Sequence, residues 1–193
     1  MTRLVREKIE RAGLLPLVEA RAGGRVPSGP GLFDELMRVD LLSLGAAADL
    51  ARRRECGEEV RIYVPAAPPR SDTISVFGKG EPLRGSSFLR KIAALRLTSP
   101  FGIRLVIDFG VLGLELGQVA LSFGATDLAG PIASRRGLLL VEADERKKLV
   151  KRREIAGFVE RAGFRPEFVA LEAAETSSDR ERGSAAAREH VES

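Results

Sequence analysis

Short β-rich runs alternating with helical periodicities constrain this chain of 193 residues more than any other feature. Residues 60–64 (VRIYV) alternate and stop at Pro65, residues 103–109 stop at Gly110, and residues 137–141 and 167–171 offer two more short strands. Between them lie segments with apolar residues at helical spacing. One carries Phe88, Leu89, Ile92, Ala93, Leu95 and Leu97; a second runs over 114–123 and is closed by Gly124. A third is opened by Asp144, with Leu149, Ile155, Ala156 and Val159 on its inner side, ended by Gly163 and kept from continuing by Pro166. Strands and helices in this order predict an α/β fold with a small open, partly parallel sheet.

The first third of the chain reads as a helical extension. Leu4, Val5, Lys8 and Ile9 fit one amphipathic turn before Gly13, and the Gly/Pro stretch 23–31 reads as loop. Leu32, Phe33, Leu36 and Met37 recur at helical spacing. Asp40 suits the N-cap of a helix through Leu41, Leu44, Ala48 and Ala51 that ends in Arg52, Arg53 and Arg54, where cations favour the negative end of the dipole. Gly57 can terminate it. The stretch 65–72 (PAAPPRSD) contains three prolines and is expected to be irregular. Ser86 or Ser87 can cap the helix that begins near Phe88. The expected organisation is a helical N-terminal extension over 1–58, an α/β domain over 59–174, and a tail over 175–193. That tail holds almost no large apolar residue and is expected to be disordered.

Composition narrows the chemistry. Hydrophobic residues make up 44% of the chain, enough for a core, but no apolar run approaches the ~20 residues that span a bilayer, and the charged start has no apolar signal core. A cytoplasmic protein without membrane association is the expectation. The net charge of +4 is a small excess of 31 basic over 27 acidic residues. The densest basic run, 146–153, is flanked by Glu142, Asp144, Glu145 and Glu154, so it reads as a solvated helix face rather than a nucleic-acid surface. Cys56 and His190 are the only residues of their kinds and lie far apart. No nucleophilic triad or zinc set can be assembled from them, so no catalytic residue and no metal ligand is assigned.

A candidate binding edge lies where the second strand run ends in glycines ahead of a helix, since ligands of α/β proteins sit outside carboxyl ends and helix N-termini favour anions. Asp108, Gly110, Gly113, Glu115 and Asp127 are the candidates there. The glycine spacing is neither GxGxxG nor a Walker motif, which favours structural turns. Asp127 suits an N-cap or Asx-turn after Ala125 and Thr126.

Four segments carry a resemblance: 40–64, 88–97, 113–132 with its core FGATDLAG, and 155–166 (IAGFVERAGFRP). In this order they resemble the radical S-adenosylmethionine enzymes of menaquinone biosynthesis by the futalosine pathway, aminofutalosine synthase and dehypoxanthine futalosine cyclase. The resemblance covers about half of the chain. It implies a barrel, a CxxxCxxC loop after the first strand and an iron–sulfur cluster held by its thiolates. Here the loop position reads PAAPPRSDTIS, only 23 residues separate Val64 from Phe88, and the family's closing Arg-Asp pair is absent after Pro166. Eight strand–helix units need ~200 residues or more, and 60–171 supply about half. One thiolate cannot hold a [4Fe–4S] cluster.

The expectation is therefore a partial TIM-barrel-like remnant without cofactor: a pseudoenzyme serving as an accessory, binding or regulatory subunit. A non-radical enzyme or binding protein for a nucleoside-like or aromatic molecule, using Asp108, Glu115 and Asp127, is the alternative; a nucleic-acid-binding module is the weaker one. Losing the middle of a barrel should leave 60–64 or 103–109 as an edge strand, which predicts as partner a second copy or a full-length futalosine-pathway enzyme.

Overall fold

The computed structural model describes residues 3–64, 71–76, 85–133 and 150–170. Along the chain come α1 (Arg3–Arg11), α2 (Leu15–Ala22), α3 (Leu32–Leu36), α4 (Leu41–Cys56), β1 (Glu59–Val64), β2 (Thr73–Val76) and α5 (Gly85–Thr98). Then follow β3 (Arg104–Asp108), α6 (Phe109–Leu112), α7 (Leu114–Leu121), β4 (Asp127–Ala129), β5 (Ile132–Ala133), β6 (Val150–Lys151), α8 (Arg152–Arg161) and β7 (Arg165–Ala170). Five strands form one sheet in the order β2-β3-β4-β1-β7, and each pairing in it is parallel. β5 and β6 form a separate two-stranded parallel pair. The α/β class holds, with a small parallel sheet.

Local chemistry starts and stops these elements. Asp40 accepts a hydrogen bond from the Ser43 backbone N–H at 2.9 Å and another from its hydroxyl at 2.8 Å, which begins α4. Gly57, at φ 68°, ends it. Pro16 opens α2, a helix absent from the sequence expectations, where a proline's missing donor costs nothing.

Several expectations are corrected. The segments 60–64 and 103–109 are not edges: β1 lies between β4 and β7, and β3 between β2 and β4, so each has neighbours on both sides. Thr73–Val76, next to the proline-rich stretch, supplies a strand beside β3. Val150 and Lys151 pair with β5, so the last helix begins at Arg152 rather than running on from Asp144. Ser86 and Ser87 fall within the first turn of α5 rather than ahead of it. Pro166 sits inside β7, which pairs on one side only among the described residues and so tolerates a missing donor. The strand expected at 137–141, most of the basic run, the tail and His190 lie outside the described residues.

The two faces of the sheet differ. On one, Val60, Ile62, Leu105, Ile107 and Leu128 are buried against Phe88 and Ile92 of α5, Ala120 and Leu121 of α7, and Ile155 and Val159 of α8. The N-terminal helices pack behind α5 through a second cluster that joins Ile9, Val18, Leu36, Leu44 and Ala48 to Ala93, Ala94 and Leu97. Alanines at that seam let α4 and α5 approach closely. The opposite face carries Glu59, Arg61 and Tyr63 of β1, Arg104, Val106 and Asp108 of β3, Asp127 and Ala129 of β4, and Glu167 and Val169 of β7. Its small apolar cluster, Tyr63, Val106 and Ala129 with Val169, receives no residue from a described helix. Strands buried on both faces usually read as continuous apolar runs; here β1 alternates over 59–62 because its second face carries Glu59 and Arg61 before the buried Tyr63.

Candidate functional site at the carboxyl edge

At the carboxyl edge of the sheet, Asp108 closes β3 and its Oδ1 accepts a hydrogen bond from the Gly110 N–H at 2.7 Å, capping α6. Gly110 meets the end of β4: a Cβ there would lie 2.7 Å from Pro131 Cδ. The contact is answered from β4, where Gly130, at φ 153°, leaves room for the Phe109 ring; a Cβ would come within 2.8 Å of it. The ends of β3 and β4 therefore interlock through two positions that accept no side chain. Gly113, at φ 84°, turns the chain from α6 into α7, and Glu115 lies exposed in the first turn of α7, where a carboxylate suits the dipole. Four of the five sequence candidates thus follow one another at this edge, the three innermost in turn and capping roles.

Asp127 departs from its expected part. It is a residue of β4, fully buried, in register with Arg61 of β1 on one side and Val106 of β3 on the other. Neither an N-cap nor an Asx-turn describes it, because a central strand places its carboxylate inside, where it needs a cation. Arg104 supplies one. Its Nε donates to both carboxylate oxygens, at 3.0 and 2.8 Å, and its Nη2 donates to Oδ1 as well. The Tyr63 hydroxyl lies 3.5 Å from Oδ2, and the Arg61 backbone N–H donates to Oδ1 at 3.4 Å. Burial opposes the charge on Arg104, but the hydrogen bond and charge of Asp127 outweigh it and hold the guanidinium above its ordinary value. Burial, helped by the Asp127 charge, also pushes the Tyr63 phenol up. Sequence reading missed Arg104 and Tyr63. An arginine opening an apolar strand and the chain's only tyrosine were the available signals.

The amino end of the sheet is held by three buried arginines. Arg21 of α2 makes a two-pronged pair with Glu55, at 2.7 and 2.6 Å, and also donates to the Ser99 carbonyl. Arg96 of α5 lies 3.6 Å from the same carboxylate and donates to the carbonyls of Gly124 and Ile103. Arg52 of α4 donates to the carbonyls of Ala125, Gly57 and Glu59 and stacks 4.0 Å from the Phe164 ring centroid. Burial pulls Arg52 down to about 10 and lowers Arg96 as well.

Cys56 closes α4, three residues before β1, and therefore stands at this amino end, opposite the carboxyl edge. The donor set does not fit the iron–sulfur cluster that the resemblance implies: the one thiol is at the wrong end of the strands, and among the described residues no group of three or more His, Cys, Asp or Glu could hold a metal ion. No described helix is long and apolar enough to cross a membrane. Comparison with protein-family models, with curated proteins and with solved structures returned no match.

Proposed function

We propose that the chain is a non-catalytic relative of the radical enzymes of the futalosine pathway, acting as an accessory, binding or regulatory subunit. The observation that carries this reading is the use made of the site's own groups. Asp108 is turned back onto Gly110, Asp127 is locked to Arg104, and the only thiol stands at the far end of the sheet. The same locking of Asp127 counts against the alternative of an acid/base pair at this edge, since a general base must reach a substrate proton. For the barrel-remnant part of the reading the strand order offers one matching neighbour pair, β1 beside β7, first strand against last, whereas the other neighbour of β1 is β4 and not the β2 that barrel order requires.

Anaerobic reconstitution with iron and sulfide should leave no bound cluster and no cleavage of S-adenosylmethionine. Affinity capture of the tagged chain from its native cells should recover a full-length enzyme of the pathway. About four irons per chain after desalting, or formation of 5′-deoxyadenosine, would overturn the reading.

A further inference from the structure

On the face turned away from the described helices, the neighbouring strands β1 and β7 carry an ordered pattern of charge. β1 and β7 pair in parallel with Glu59 beside Arg165 and Arg61 beside Glu167. Val60, Ile62 and Phe168 point into or against the apolar core, so alternation sets the four charged residues together on the opposite face. The four form a two-by-two checkerboard, with the carboxylates on one diagonal and the guanidinium groups on the other. The side chains of Glu59, Arg61 and Glu167 are 42%, 31% and 51% exposed, and Arg165 is exposed too.

Among the described residues this pattern is incompletely paired. Arg61 Nε stands 3.7 Å from Glu59 and 3.5 Å from Glu167, shared between two carboxylates and close to neither. Arg165 forms no ion pair among the described residues. The carboxylates crowd each other: a hydrogen bond to Glu59, followed by partial burial, holds the Glu167 carboxyl above its ordinary range. A checkerboard is complementary to itself. Turned over about a two-fold axis parallel to the strands, β1 of one copy faces β7 of the other. Glu59 then meets Arg165 and Arg61 meets Glu167, with the reciprocal contacts supplied by symmetry.

We propose that this charged patch at the amino ends of β1 and β7 is a self-association surface on which a second copy of the chain docks, β1 over β7. The inference stands independently of the family reading. Exposed ion pairs are individually weak and screened by salt, so the dimer is a weak one whose strength falls steeply with ionic strength.

Sedimentation equilibrium of the full chain, between about 0.01 M and about 1 M salt, reads this directly, because the screening length falls from roughly 30 to 3 Å over that range. The mass should approach twice 20.9 kDa in low salt and fall towards 20.9 kDa in high salt. Arg165→Glu alone, or Glu59→Arg alone, sets like charges against each other in the homodimer and should weaken association by more than about tenfold. An equal mixture of the two variants should associate again. In the mixed pair the introduced carboxylate faces the introduced guanidinium, and the native Glu59 of one chain faces the native Arg165 of the other. Circular dichroism and melting of each variant check that the fold is retained. A wild-type mass of 20.9 kDa in low salt that does not change on dilution would overturn the proposal and leave the face to a different partner. Single variants that associate like the wild type, or folded variants whose mixture stays monomeric, would overturn it equally.

Discussion

Asp127 and Arg104 form one unit, and removing half of it should be worse than removing both. Asp127→Asn leaves a buried guanidinium without its anion and should cost about 3–5 kcal/mol in urea denaturation. Replacing Asp127 and Arg104 together by leucine and methionine should cost clearly less, because no buried charge is then stranded. Tyr63 gives a pH prediction. Its folded-state value is raised above the ordinary 10.0, so the folded chain holds this proton more tightly than the unfolded chain. The stability it contributes is present below pH 10 and is lost as pH rises through the folded value. Arg52 acts in the opposite sense above about 10, since its folded-state value is lowered. Melting profiles of Tyr63→Phe and wild type, superimposed, isolate the tyrosine: the wild type should fall more steeply above pH 10. Parallel profiles would contradict it. Asp127 could be named as a candidate from its place after FGAT, but its partner lies 23 residues earlier, and the pairing exists only once β3 and β4 are neighbours.

Among the elements, Glu55 has the widest reach. One carboxylate near the end of α4 binds Arg21 of α2, faces Arg96 of α5, and accepts from the Gly102 N–H ahead of β3. Glu55→Gln keeps the shape and removes the anion, leaving two buried cations unneutralised, and should destabilise the fold by about 3–5 kcal/mol. The loss should be felt first where Arg21 ties the extension down, so amide exchange in α2 should accelerate more than in β1 or β3. Uniform acceleration would mean that the latch is not local. Helix ends were readable in advance where a side chain caps its own backbone, as at Asp40 and Gly57. They were not readable where the neighbour along the chain decides, as at Val150 and Lys151, which pair with β5 instead of continuing a helix.

At the scale of the whole molecule, the N-terminal helices and the sheet share α5: one side of it meets Leu44 and Ala48, the other meets the strands. The two layers should therefore unfold together. The chain has one tyrosine and no tryptophan, so Tyr63 fluorescence reports the sheet while far-ultraviolet circular dichroism reports mainly the helices. Their urea midpoints should coincide. Separate midpoints would divide the extension from the α/β body.

Alternation of helical and strand periodicities, the cap at Asp40, the stop at Gly57 and the glycines that end β3 are local matters, because each depends on a residue and its near neighbours along the chain. They determined the α/β class, the helical extension, and the run from Asp108 to Glu115 at one edge. The same sequence determined, through a single cysteine, that one chain cannot supply the thiolates of a cluster. Strand order is of another kind. Placing β1 between β4 and β7, and β2 outside β3, depends on which apolar faces find each other across many residues, and the local pattern of a strand is the same whether it lies at an edge or in the centre. Only tertiary structure could therefore bury Asp127 against Arg104, gather three arginines at the amino end, and set Glu59, Arg61, Arg165 and Glu167 into one surface, since each grouping joins residues that chain proximity keeps apart.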